Sequence, residues 1–229
     1  MILVAKSLAK IYRPVIIAVW SIIALIVVLV TSVLAAVYEV RYSLWLIIAG
    51  QAMKWWLLVF GVLAVAPHLR LYVSNGVTRR DFLAGAALFG GLTAVAYALI
   101  VVVGHGIERL VWTAFGTPPA TYPPFSALDG LREFGHFLPG ALGCLVTGAL
   151  IAAGFYRFTW WIGLLLTIPG LLPLAVADGM LGLYAAVEAP APRLLPYPAA
   201  LAFSLTVTVI GALLLHREMH DVAIRRTAG

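Results

Sequence analysis

The ionisable side chain in the most unusual setting of this 229-residue sequence is Lys54. It lies inside an apolar run, and Gln51 stands about one helical turn before it. A charge at the centre of a membrane helix is costly and usually faces a cavity or a partner. The alternative is that the helix is shifted and the ammonium group reaches the interface along its flexible stem. Because apolar residues extend on both sides of Lys54, we expect a cavity or an interface.

Lys54 is expected to face a hydrated cavity, a backbone carbonyl or an anionic part of a substrate, and to lie at the break in the fifth apolar segment or at a dimer axis. Asp178 is not an obvious mate, because the sequence places it nearer the end of its own apolar segment. Pro169 and Pro173 interrupt that segment, and each proline frees a carbonyl one turn before it. The favoured interpretation of the break itself is a simple kink. We predict that Gln51, Lys54, Pro169 and Pro173 line a substrate path.

Catalytic and metal-binding signals are weak elsewhere in the sequence. Glu133 and His136 have the spacing of an acid–base pair, although a solvated helix face is expected there. His216 and His220 stand four residues apart, and a solvated pair is again expected. Cys144 is the single cysteine, which excludes an internal disulfide. No glycine-rich phosphate loop and no metalloprotease motif occurs. The sequence therefore predicts no catalytic residue, no metal and no cofactor bound by this chain.

The composition is that of a membrane protein. Hydrophobic residues make up 63% of the chain and charged residues 10%, whereas a soluble domain has about 45–50% and about 25%. Such a chain cannot cover its own surface with polar groups. The net charge of +6 fits basic loops on the cytoplasmic side of a membrane better than nucleic-acid binding.

The apolar runs predict an all-α polytopic membrane protein with one transmembrane domain over residues 1–229. About 20 apolar residues suffice to span a bilayer. Between the third and fourth spans, residues 126–138 predict a short amphipathic helix, with Leu128 and Leu131 on one side and Glu133 and His136 on the other. The predicted spans are residues 14–37, 44–66, 83–104, 139–155, 160–177 and 199–215.

The N-terminal residues 1–13 carry a basic stripe. Lys6, Lys10 and Arg13 stand at spacings that align them on one helical face. Two interpretations are open with even weight. The stripe belongs to an amphipathic helix on the cytoplasmic membrane surface, or it is a basic flank that orients the first span.

The most readable polar connection, residues 67–82, separates the second and third spans. Pro67 can occupy the first turn of a short helix, and Gly76 can supply the left-handed residue that ends it. Thr78 and Asp81 have the spacing of a capping box, so the next helix is expected to start there. Arg79 falls in that first turn together with Arg80, where the helix dipole disfavours cations. A role outside helix stability is therefore expected for both arginines.

The distribution of basic residues predicts the orientation. With six spans, both termini and the 67–82 connection share one side, which carries ten of the 15 lysines and arginines. The other side carries four, and Lys54 lies within a span. The positive-inside rule then places both termini in the cytoplasm and residues 105–138 outside the cytoplasmic membrane.

The six-span layout and the segment Gly-Val-Thr-Arg-Arg-Asp-Phe at residues 76–82 resemble the membrane subunit of ABC-2 type transporters. In that family a short cytoplasmic coupling helix precedes a similar segment and docks on a separate ATP-hydrolysing subunit. The resemblance implies that residues 67–75 are the docking helix. The residues it assigns to the contact are His68, Arg70, Tyr72, Asn75, Gly76, Arg79, Arg80 and Asp81.

The resemblance also implies the biochemistry of the assembly. The chain would be a permease, with a second copy or a related permease beside it, and ATP and magnesium would bind the partner subunit. The larger outer segment follows the third span here, whereas many members of the family have it between the fifth and sixth spans. Two alternatives stay open: a structural or assembly protein without transport, and a membrane-embedded enzyme acting on lipid or peptide.

Overall fold

The computed structural model describes residues 1–37, 42–116, 122–123, 125–181 and 195–220, and every regular element in these ranges is helical. Six helical segments are long and apolar enough to cross a membrane, so the chain is a multi-pass membrane protein. The helices are α1 (Ile2–Val37), α2 (Leu44–Leu63), a π-helical turn (Ala64–His68), α3 (Leu69–Ser74), α4 (Arg79–Phe115), α5 (Ala127–Arg157), α6 (Trp160–Gly170), α7 (Leu172–Leu181) and α8 (Tyr197–His220).

Contacts between remote residues define two ends of the bundle. At the N-terminal end, the amino group of Met1 meets Asp81 and Arg157 meets Glu218. At the far end, Ser43 meets Glu108, and the phenol of Tyr197 donates to the carbonyl of Arg132. The side of the membrane that each end faces stays a prediction from the charge distribution.

The N-terminal basic stripe belongs to α1 and does not form a separate surface helix. α1 has 36 residues, which gives it a length of about 54 Å, whereas the hydrocarbon core is about 30 Å thick. Lys6 and Lys10 are exposed, while Leu8 and Tyr12 are buried against the other helices. The first turns of α1 are thus held by protein packing.

Helix α5 forms the centre of the bundle. In its most apolar window 72% of the residues are buried, against 11% in α1. It contacts α2, α4, α6, α7 and α8. Small residues recur along it, and they let neighbouring backbones come close. The glycines of α5 that lie against the backbone of another helix in this way include Gly143 and Gly148.

The closest helix contact is the crossing of α2 and α5. A side chain at Gly148 would overlap the backbone carbonyl of Leu58, and one at Gly61 would overlap the carbonyl of Leu145. Each helix therefore contributes a glycine against the backbone of the other. This reciprocal contact sets the depth at which α2 residues meet α5.

Two predicted boundaries of helices are wrong. No short helix begins at Pro67, since the chain stays helical from α2 through the π-helical turn into α3. The carbonyl of Leu63, which Pro67 cannot bond, accepts a hydrogen bond from Nδ1 of His68 at 2.7 Å. At the far end, α4 extends to Phe115, and α5 begins at Ala127 and runs through Pro139 into the fourth predicted span.

The predicted faces of residues 126–138 are not observed. Leu128 and Leu131 are exposed, whereas Glu133 and His136 are buried. Arg132 is exposed as expected, and Phe134 is partly buried. The burial of this segment therefore does not divide into an apolar and a polar side. The turn at residues 38–41, the prolines at 118, 119 and 124, the loop after Leu181 and the tail after His220 lie outside the described residues.

The α2–α5 crossing predicts a sharp difference between two glycines. Gly148→Val should lower the free energy of unfolding by about 1–3 kcal/mol or more, because its side chain must push α2 away. Gly91→Val is the matched control, since nothing lies within 4 Å of the added Cβ. Thermal unfolding in one detergent compares them. Equal stability of the two variants would contradict the close crossing.

Candidate functional site

The predicted docking segment has the local structure that its turn chemistry requires. Gly76 has φ of 85°, the left-handed conformation that favours glycine. Thr78 caps α4, because its hydroxyl accepts a hydrogen bond from the backbone N–H of Asp81 at 3.1 Å. Val77 packs against the apolar cluster that contains Phe82, as a hydrophobic staple would. The positive φ at Gly76 and the helix start at Thr78 are thus confirmed.

Helix α3 is fastened to α1 and α4. Leu69 is buried. The phenol of Tyr72 donates to the hydroxyl of Ser7 at 2.8 Å, and its ring lies 5.2 Å from that of Phe82. A displacement of α3 would therefore also move α1, α4 and α2.

The carboxylate of Asp81 joins the start of α4 to the chain terminus. It accepts a hydrogen bond from the hydroxyl of Thr78 at 2.8 Å, and the amino group of Met1 lies 3.4 Å away. These two groups, the hydroxyl first, hold the pKa of Asp81 below its ordinary value. Asp81 is thus an anion in the first turn of α4, where the helix dipole favours one.

The eight candidate docking residues do not have the same surroundings. Leu71, between the candidates Arg70 and Tyr72, is 54% exposed. His68 points inward, since its Nδ1–H donates to Leu63, which leaves Nε2 to accept from Tyr12 at 3.4 Å. His68 and Tyr72 thus hold the segment in place. The exposed candidates are Arg70, Asn75, Gly76, Arg80 and Asp81, and Arg79 is half-buried.

A second candidate site surrounds Lys54. Its ammonium group lies 2.9 and 3.0 Å from the two carboxylate oxygens of Asp178 on α7. The side chain of Lys54 is 8% exposed and that of Asp178 is 40% exposed. The expectation that Lys54 has no carboxylate mate is therefore wrong. A small cavity of about 20 Å³ adjoins the pair, and its lining includes Gln51, His136 and Gly140.

Pro169 and Pro173 are not brought to this cavity. Lys54 faces Asp178 instead of the break between the prolines. α6 ends at Gly170 and α7 begins at Leu172, so the break is a tight kink. The N–H of Leu174, just after Pro173, donates to the hydroxyl of Thr147 at 3.2 Å.

Two further ionisable residues are sealed inside the far end. Nδ1 of His105 lies 2.7 Å from Oε1 of Glu133, and the two side chains are 0% and 1% exposed. His136, one turn further along α5, is also buried. The solvated helix face expected for Glu133 and His136 is therefore wrong, and their acidic and basic groups face protein.

The outermost polar contacts connect three segments. The hydroxyl of Ser43 donates to Glu108 of α4. Arg109 donates to the carbonyl of Pro123 at 3.0 Å, and its guanidinium lies 5.7 Å from the ring centre of Tyr122. Burial, and then the charge of Glu108, raise the pKa of Tyr122.

Sequence reasoning missed His105 and the pairing of Asp178. A signal for His105 exists: it stands three residues before Glu108 on α4, as Glu133 stands three before His136 on α5. Two acid–histidine pairs at the same end of consecutive spans indicate a shared polar interior, once both helices are extended past the bilayer core. Asp178 carries no such signal, because only the tertiary fold brings α7 to α2.

Comparison with known proteins identifies no relative. No protein-family model, no curated protein and no solved structure matches this chain. Among the described residues, no group of three or more histidine, cysteine, aspartate or glutamate side chains is arranged to hold a metal ion.

The unequal burial of Lys54 and Asp178 predicts unequal costs of breaking their pair. Asp178→Asn leaves a buried ammonium without its counter-charge and should cost about 3 kcal/mol of unfolding free energy. Lys54→Met leaves a carboxylate that already reaches the surface, and should cost roughly 1 kcal/mol or less. Unfolding in matched detergent measures both. A larger loss for Lys54→Met would contradict this burial order.

Proposed function

We propose that this chain is the permease subunit of an ATP-driven transporter of the ABC-2 type, an exporter whose soluble ATPase subunit docks on α3 and the turn that follows it. The observation that carries the proposal is the rigid projection at the N-terminal end. A six-residue helix presents an exposed leucine, Leu71, beside cationic side chains, and it is tied to three membrane helices.

The contacts behind this surface support mechanical coupling. Tyr72 joins α3 to Ser7 of α1, and Asp81 joins the start of α4 to Met1. α3 continues from α2 through the π-helical turn. A partner that moves α3 would therefore displace the inner ends of α1, α2 and α4 together. Such a displacement is what ATP-driven opening and closing of a permease requires.

The charges fit a soluble partner at this end. Arg79 and Arg80 stand in the first turn of α4, against the helix dipole. The anion Asp81 follows them and stabilises that turn, so the two arginines are not needed as caps. The exposed Leu71 and the exposed Arg80 stand on the two sides of the turn at Gly76, and a protein interface combines an apolar centre with a polar rim in which arginine is common. The membrane sidedness in this proposal is cytoplasmic for both termini.

The cavity at Lys54 enters the proposal as part of the substrate path. Lys54, Gln51 and Asp178 lie between α2, α5 and α7, so a change in the spacing of these helices would open or close the site. ATP and magnesium would bind the ATPase, and a second permease subunit would complete the transporter.

The test is whether an ATPase follows the permease through purification and depends on this surface. The tagged full chain, purified from its host membranes in mild detergent, should carry a protein that hydrolyses MgATP. Arg79→Glu combined with Arg80→Glu should weaken the association about tenfold or more, because like charges then meet across the interface. Gly76→Val should lower hydrolysis too, since a β-branched residue resists the positive φ.

The control for charge reversal is Arg132→Glu, which alters an exposed arginine at the far end. It should leave ATPase association unchanged. Equal amounts of ATPase and equal hydrolysis in the parent, the double variant and the Gly76 variant would reject α3 and its turn as the docking site.

A further inference from the structure

A line of ionisable side chains crosses the interior of the far end, and we propose that it is a proton-binding site that takes up one proton from the aqueous side at that end. The inference goes beyond the permease function and holds whether or not an ATPase binds this chain. We call this line the far-end column. Its members are Glu108 and His105 of α4, Glu133 and His136 of α5, Asp178 of α7 and Lys54 of α2.

The outer half of the column runs from Glu108 to Glu133. Glu108 and His105 stand three residues apart on α4, a spacing that places their side chains on neighbouring positions of one face. His105 then reaches Glu133 through the hydrogen bond of 2.7 Å between Nδ1 and Oε1. Both residues of this pair are almost completely buried.

The inner half runs from Glu133 to Lys54. Glu133 and His136 are again three residues apart, now on α5. His136 lines the cavity that also borders Asp178 and Lys54. A cavity of about 20 Å³ has room for about one water molecule. A single water in this cavity would lie between His136 and Asp178 and complete the inner half of the column.

The buried His105–Glu133 pair has polar atoms without a hydrogen-bond partner in the described part of the protein. Nε2 of His105 and Oε2 of Glu133 are buried, and no described residue hydrogen-bonds to them. Buried polar atoms of native proteins are nearly always satisfied by protein or by water. These two atoms thus point to water within the column.

The charge balance decides which ligand the column takes. Among the residues that the structure describes, the three carboxylates of Glu108, Glu133 and Asp178 lie near two permanent cations, Lys54 and Arg109. One negative charge is left over, and an unbalanced charge in the interior is costly. One bound proton removes it. A metal ion is disfavoured, since the described residues include no cluster of three ligand side chains.

The proton is shared within the His105–Glu133 pair. When it moves, the O–H bond at Glu133 breaks as the N–H bond at Nδ1 of His105 forms, and the pair has no net charge in either form. Loss of the proton leaves a buried carboxylate next to the other anions of the column. In the part of the chain that the structure describes, other titratable or charged groups that face the column or flank it include Tyr97, Arg109, Tyr122, Cys144, Tyr197 and, on the outer surface of α5, Asp129 and Arg132.

Infrared spectroscopy of the purified full chain in lipid nanodiscs, without any ATPase, tests the proposal. The pH is taken from mild acid to mild alkali, while the C=O band of protonated carboxyl groups and the imidazole bands are recorded. The parent should gain and lose one column proton reversibly. Glu133→Gln should remove this transition. Glu218→Gln, which changes an exposed carboxylate at the N-terminal end, should leave it intact.

Two charge variants distinguish a titrating proton site from a His105–Glu133 pair that only stabilises the fold. They give an answer even if Glu133→Gln does not fold. Lys54→Met makes the column more negative and should strengthen proton binding. Asp178→Asn makes it less negative and should weaken binding. At a separation of about 10 Å and an effective dielectric constant near 20, each change is about tenfold in proton affinity.

Opposite shifts of the transition in these two variants support the proposal. The proposal is overturned if no column group titrates over this range, or if both variants titrate as the parent does. These titrations do not involve ATP hydrolysis. A negative result would therefore reject the proton site without testing the proposed docking of an ATPase.

Discussion

The close crossing of α2 and α5 is the contact on which the rest of the structure depends. Gly148 lies against the backbone of Leu58, and Gly61 against that of Leu145. At this distance the side chains of α2 reach directly into the centre of the bundle. Lys54 then passes over Gly140, where a Cβ would be only 3.6 Å from its stem, and meets Asp178 on the other side of α5. A larger residue at Gly61 or Gly148 would move the ammonium group of Lys54 away from the carboxylate of Asp178.

The apolar surroundings explain why α5 is polar where it is buried. In water an amphipathic helix turns its leucines inward, but lipid contributes no such drive. Polar groups on a membrane helix must instead find partners inside the protein. Glu133 meets His105, and the hydroxyl of Thr147 takes the N–H of Leu174 that the Pro173 kink exposes. The fold therefore collects ionisable groups around α5 and leaves Leu131 exposed.

The features that could be predicted from the sequence are the ones set by local chemistry or by length. The six spans follow from apolar runs, and the left-handed Gly76 and the cap at Thr78 follow from residues within a few positions. The π-helical turn was not predictable. The carbonyl of Leu63, which Pro67 cannot bond, is satisfied by the side chain of His68, and a new helix start at Pro67 would have been equally compatible with the sequence. The Lys54–Asp178 pair joins residues 124 positions apart. Such a contact depends on how α7 packs after its kink, and no periodicity in the sequence records that.

The two ends of the molecule carry different chemistry, and α2 connects them. At the N-terminal end, α2 continues into the exposed helix α3, where a partner can act. Toward the far end, the same helix carries Lys54 beside Asp178 and the buried histidines. A displacement of α2 along or away from α5 would thus change both the docking surface and the pairing of buried charges. If the proposed permease function holds, this link relates partner binding to the polar interior.

The most direct test of this account is a double-mutant cycle between Lys54 and Asp178, read as free energy of unfolding in one detergent. The cycle compares Lys54→Met, Asp178→Asn and the double variant with the parent. The account predicts a coupling free energy above about 1 kcal/mol, since residues in direct contact couple by about 0.5–3 kcal/mol. Effects that add within about 0.5 kcal/mol, as they do for distant sites, would show that α2 and α7 do not meet at this pair.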